Sequence, residues 1–153
     1  MLKRILISTT VLITLSNPAV SHADSTETKS CPQYEAMLRK HGLPVKQFSY
    51  LMWRESRCQP KAIGWNYKPG KGPHNCVLSP AETYRHCNAV RSYDIGLLQN
   101  NSGWRTVTAR ICNRPYRQLI KSLTDPSCNL KVAKYLYDNG GLAHWKGSSG
   151  IHK

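Results

Sequence analysis

Val45-Lys46-Gln47-Phe48-Ser49-Tyr50-Leu51-Met52-Trp53-Arg54-Glu55-Ser56-Arg57 is the stretch on which the fold of this chain turns. Val45, Phe48, Leu51 and Met52 recur with helical spacing, so an amphipathic helix is expected, starting near Pro44. Glu55 follows Met52 by three positions and Leu51 by four. Side chains so spaced share a helix face, which carries this carboxyl group along the buried stripe rather than out to water. Burial against Phe48, Leu51 and Met52 penalises the charged form, and the negative end of the helix dipole acts in the same direction. The expectation is a carboxylic acid kept protonated near neutral pH, which is what a general acid requires. Arg54 and Arg57 would oppose this if they reached the carboxylate. Adjacent helix positions point elsewhere, so both are expected to face solvent. On this residue alone, an ordinary helix-end carboxylate is the weightier reading.

Upstream, Ser30-Cys31-Pro32 reads as a helix start, with Ser30 as N-cap and Pro32 near the favoured first turn. That helix should run to about His41 and stop at Gly42. Downstream, residues 64–91 change character, with Gly64, Pro69, Gly70, Gly72, Pro73 and Pro80 beside Cys76 and Cys87. They read as a loop-rich insertion, with a short helix after Ser79-Pro80, and loops this long are usually functional or disordered. The cysteines argue for order. Trp65, Tyr67, Lys68, Lys71, Tyr84 and Arg85 suit one wall of a binding groove. After Asp94-Ile95-Gly96-Leu97-Leu98-Gln99 the chain turns helical again. Ser102 can cap a helix holding Trp104, Val107 and Ile111, with Trp104 in the core, and a short helix covers about 116–123. Asp125-Pro126 opens a last helix, with Leu130, Ala133, Leu136 and Tyr137 on one face and Gly140-Gly141 at its end. No internal repeat and no long strand pattern is visible, so the class is mostly α.

Residues 1–23 read as a secretory signal peptide: Lys3 and Arg4, an apolar run over 5–15, and Ser21-His22-Ala23 before the cut. The run is short of the roughly 20 apolar residues of a membrane span, and nothing else is apolar enough, so no stable membrane anchor is expected. A polar segment at 24–30 then leads into one domain at 31–147, followed by a flexible Gly/Ser-rich tail at 148–153. The net charge of +14 favours anionic partners, whether wall polymer, lipid or nucleic acid, without choosing among them. Six cysteines in an exported small domain imply disulfides. Sequence does not fix their pairing; the one adopted joins neighbouring segments, as Cys31–Cys58, Cys76–Cys87 and Cys112–Cys128. No Cys-x-x-Cys and no zinc-finger His pair occurs, so neither metal nor cofactor is expected. His74, His86 and His144 read as surface residues.

Three blocks of sequence go together. Glu55-Ser56-Arg57-Cys58-Gln59-Pro60-Lys61-Ala62 matches a Glu-Ser-x-x-x-Pro-x-Ala pattern. Gly96-Leu97-Leu98-Gln99-Asn100-Asn101 is the second. Asp125-Pro126-Ser127-Cys128-Asn129-Leu130, with Ala133 to Leu136, is the third. In order and spacing they resemble the soluble lytic transglycosylases of the lysozyme-like superfamily. The resemblance implies a mostly α, lysozyme-like α+β fold, in which a helical lobe and a small loop/β lobe, here 64–95, flank a substrate cleft. It implies an exported enzyme, periplasmic or extracellular, that cleaves the MurNAc-GlcNAc β-1,4 bond of peptidoglycan. Glu55 would be the catalytic acid and base, Ser56 would orient the site, and Gln99 would line the cleft.

Around these, Asn100, Asn101 and Ser102 are candidates for hydrogen bonds to sugar, and Trp65 for stacking on it. The family's late Tyr-Asn-x-Gly is replaced by His144-Trp145-Lys146-Gly147, which leaves Tyr135 and Trp145 as candidates to close the far side. Asp94 matches the place of the second carboxylate of animal-type lysozymes. If it reaches the sugar, hydrolysis by Glu55 and Asp94 is open; if it anchors the turn, Glu55 works alone and leaves 1,6-anhydro-MurNAc ends. The second route is favoured. The expected partner is peptidoglycan, engaged by a monomer or within a cell-envelope assembly, and no nucleic acid is expected. A catalytically inert, cationic wall-binding protein is the rival class. A secreted basic nuclease is a third, without a metal motif to support it.

Overall fold

The computed structural model describes residues 29–76 and 87–146. The signal peptide, the helix after Ser79-Pro80, Tyr84, Arg85, His86 and the tail lie outside the described residues. Helix α1 (Glu35–Lys40) and α2 (Val45–Ser56) precede strand β1 (Ile63–Tyr67). Strands β2 (Val90–Ile95) and β3 (Asn100–Asn101) follow, then α3 (Arg105–Cys112), α4 (Leu119–Leu123) and α5 (Pro126–Gly140). Most of the ordered elements are helical, beside one small antiparallel sheet in the order β1-β2-β3.

The first helix starts later than expected. Ser30 caps nothing; a short 3-10 turn, Pro32–Tyr34, leads in, and α1 begins at Glu35. The entry is pinned instead at Cys31, whose buried N–H donates to Ser49 Oγ at 2.8 Å and whose sulfur is bonded to Cys58. Gly42 does end the helix, with φ +67° and the Leu43 N–H returning to the Leu38 carbonyl at 3.0 Å.

Helix α2 buries Phe48, Leu51 and Met52 completely, against a core that includes Leu97, Leu98, Leu130, Val132 and Leu136. It stops without a glycine. Arg57 and Cys58 both take left-handed backbone, at φ 53° and 62°, which costs roughly 1 kcal/mol each. The Arg57 N–H to Trp53 (3.1 Å), the Cys58 N–H to Met52 (3.3 Å) and the Cys31–Cys58 bridge hold that end in place.

All three expected disulfides are present, with Cα separations of 5.6 Å for Cys31–Cys58, 5.4 Å for Cys76–Cys87 and 5.6 Å for Cys112–Cys128. The last joins the end of α3 to the first turn of α5. No described helix is long and apolar enough to cross a membrane.

Asp125 caps α5 as expected, its Oδ1 accepting from the Cys128 N–H at 3.2 Å, with Pro126 in the first turn. Arg114 reaches its Oδ2 at 3.1 Å. Burial works to raise the pKa of this carboxyl group. The Cys128 amide, the hydrogen bond and charge of Arg114, and the Ser127 amide outweigh it and hold the pKa below 3.8. The group ionises more readily folded than unfolded, so its contribution is complete above about pH 4 and fades as pH falls through the lowered value. Asp125→Asn keeps the cap but loses the charge. Its deficit in melting temperature should be small, because the pair is part-exposed and worth less than about 1 kcal/mol. That deficit should shrink to nothing as pH is taken from 6 to about 2. A deficit that stayed constant would assign the effect to cap geometry instead.

Candidate active site

Glu55 lies half-buried in the last turn of α2. The next residue, Ser56, is buried and directs its hydroxyl to two carbonyl oxygens, Met52 at 3.0 Å and Leu97 at 2.9 Å. The first ties it to its own helix. The second fastens the Glu55 end of α2 to the Gly-Leu-Leu-Gln turn. Ala62 makes a second join, its carbonyl accepting from the Gly96 N–H at 2.8 Å and from Gln99 Nε2 at 3.3 Å.

The turn is fixed from the other side by Asn129 of α5, which is fully buried. Its Nδ2 donates to the Ile95 and Leu123 carbonyls, both at 2.9 Å, and its Oδ1 accepts from the Leu98 N–H at 3.1 Å. Gly96 makes this approach possible. It has φ +77°, and a Cβ there would collide with the Leu123 carbonyl oxygen and with Asn129 Nδ2. The three sequence blocks therefore meet in space: Ser56 from the first, 96–99 from the second, Asn129 from the third.

Asp94 is on β2, and both its oxygens accept from asparagine amides. Asn101 Nδ2 reaches Oδ1 and Asn66 Nδ2 reaches Oδ2, each at 2.7 Å. The register explains this. Asp94 lies opposite Gly64 and Asn101, and Ser92 opposite Asn66, so alternate residues form one polar face. Ser92 Oγ accepts from the same two amides, at 3.2 and 3.3 Å. Gly64 leaves room for Gln99, whose Oε1 would be only 3.0 Å from a Cβ at that position.

Asp94, Gln99, Asn100 and Asn101 line a small cavity of about 90 Å³ with Trp104 and His144. Asn100 is almost wholly buried; its Nδ2 donates to the Asn129 carbonyl at 2.9 Å. Its Oδ1 has no hydrogen-bond partner among the described residues, and a buried acceptor left so costs about 1–3 kcal/mol.

The structure thus brings Asp94, Gln99 and Asn100 together and joins Ser56, beside Glu55, to the same turn. Trp65 is elsewhere. It pairs with Tyr93 across β1 and β2, ring centroids 5.1 Å apart, on the opposite sheet face from Asp94. Tyr135 lies under Arg110 at 5.6 Å, and the α5 residue facing the cavity is Leu136. Trp145 is on the cavity wall, buried, and its indole N–H donates to the Leu98 carbonyl at 2.9 Å. Ser102 is not the helix cap: Asn101 Oδ1 accepts the Gly103 N–H at 2.8 Å, while Ser102 Oγ accepts from the Tyr93 N–H at 3.1 Å. Arg54 and Arg57 are exposed, as expected, and held by their own helix. Arg57 stacks 3.7 Å over the Trp53 ring and Arg54 donates to the Tyr50 hydroxyl at 2.9 Å.

Sequence reasoning missed two residues here. Trp104, expected in the core, packs against it but also meets His144 edge-on at 5.6 Å on the cavity wall. The polar run Asn100-Asn101-Ser102 just before Trp104 was the available signal. Asn66, partner of Asp94, could be found only from the strand register. Comparison with protein-family models, curated proteins and solved structures gives no match.

Proposed function

We propose that this protein is an exported lytic transglycosylase of lysozyme-like architecture that cleaves the MurNAc-GlcNAc bond of peptidoglycan. One observation carries the reading. The three blocks that suggested it are far apart in sequence, yet they share one hydrogen-bonded junction beside Glu55. The disulfides suit an oxidising compartment, periplasmic or extracellular.

In this mechanism Glu55 donates its proton to the glycosidic oxygen as the C1–O bond breaks. The resulting carboxylate then takes the proton of the C6 hydroxyl while O6 bonds to C1. The product is a 1,6-anhydro sugar, Glu55 is again protonated, and no water is consumed. Asp94 accepts one asparagine amide at each of its oxygens, which holds it in place on the sheet as the single-glutamate route requires. Each oxygen keeps a further lone pair, so the products decide between this route and hydrolysis by both carboxylates.

Mass spectrometry of the soluble products from purified peptidoglycan tests the proposal. Anhydro-muropeptides are expected, and Asp94→Asn should lower their yield by no more than about tenfold. Reducing-end products, lost in Asp94→Asn, would make the enzyme a hydrolase that uses both carboxylates. Wall binding without any soluble product would leave an inert binder.

A further inference from the structure

A second, larger cavity of about 420 Å³ lies on the other face of the sheet, the face that carries Tyr93. That volume is in the range of small-molecule sites. Arg91 of β2, Arg105 at the start of α3 and Arg117 in the turn before α4 all line it, with Tyr93, Tyr116 and Ser102. The three arginines come from three separate elements, so no helical periodicity has aligned them. Each is exposed, and none forms an ion pair among the described residues, where the only pairs are Arg114–Asp125 and Lys134–Asp138. No carboxylate is among the lining residues. Three like charges around one cavity repel, and an anion relieves that repulsion.

We infer that this cavity binds the phosphate group of a phosphorylated sugar. A carboxylate is planar and one guanidinium fork satisfies it, whereas a phosphate offers three acceptor oxygens to guanidinium groups approaching from different sides. Ser102 adds a donor, since its oxygen already accepts from the Tyr93 N–H and leaves the hydroxyl proton for the ligand. Tyr116 is the one exposed large hydrophobic side chain among the described residues, at 68%. With Tyr93 it gives a sugar ring flat surfaces to lie against. The site does not depend on glycosidic cleavage and is tested without peptidoglycan.

Calorimetric titration of the full chain with glucose 1-phosphate, inorganic phosphate, glucose and AMP decides it. Saturable one-to-one binding is expected for glucose 1-phosphate, weaker binding for inorganic phosphate, and none for glucose. Arg105→Ala and Arg117→Ala should each weaken glucose 1-phosphate by about tenfold or more, with Arg105→Lys in between, because lysine keeps the charge but not the fork. Their melting temperatures without ligand should equal or exceed that of the wild type, since each removes repulsion. Failure of any phosphate compound to saturate, or indifference to both alanine substitutions, would overturn the site. Tighter binding of AMP than of glucose 1-phosphate would overturn the sugar.

Discussion

Glu55→Gln will lower the release of soluble fragments from purified peptidoglycan by about a thousandfold or more, in a protein that melts as the wild type does. The substitution keeps shape and volume but leaves no proton to give and no carboxylate to take one back. Both halves of the proposed reaction need that exchange, so the loss should fall on turnover rather than on binding to the wall. The fold should be indifferent, because the end of α2 is held by other groups: the Ser56 hydroxyl on Leu97, the Cys58 N–H on Met52 and the Cys31–Cys58 bridge. Circular dichroism and wall sedimentation, run beside the product assay, separate the outcomes. A folded, wall-binding, fully active Glu55→Gln protein would falsify the proposed mechanism.

What the sequence made legible follows from how local each determinant is. The α2 stripe, the stop at Gly42 and the Asp125-Pro126 start are written in residues a few positions apart, and each stands where expected. The end of α2 was legible only as a place. Its left-handed Arg57 and Cys58 depend on a disulfide partner 27 residues away, and nothing nearby announces them. Residue patterning alone marks 64–91 as loop-rich, because strands β1 and β2 are short and polar on one face; a small loop/β lobe at 64–95 comes only from the family resemblance. The strands' pattern is set by cross-strand pairs such as Asn66 with Asp94, which exist only once the register is fixed. Ser102 and Asn101 are both competent caps, and the choice between them fell to the Tyr93 amide across the sheet. The tryptophans show the same limit: spacing marks each as apolar and large but does not say which faces a cavity.

Asn129→Ala should be strongly destabilising at the junction. It deletes one side chain and orphans two carbonyls and one N–H, on Ile95, Leu123 and Leu98, inside a region with no water-facing surface. Each unsatisfied buried group costs about 1–3 kcal/mol, and partial relaxation of the turn leaves a net loss of about 4 kcal/mol. With the disulfides intact, the melting temperature should fall by roughly 15 °C. Gly96→Ala attacks the same contact from the facing side, forcing a Cβ against Leu123 and Asn129 at a left-handed position, and should cost as much. The coupling between the two decides the argument. If both act by opening one junction, the double variant will be no worse than the worse single variant by more than about 1 kcal/mol. Fully additive losses would mean that Asn129 and Gly96 support separate parts of the fold, and the three sequence blocks would then lose the shared junction on which the functional proposal rests.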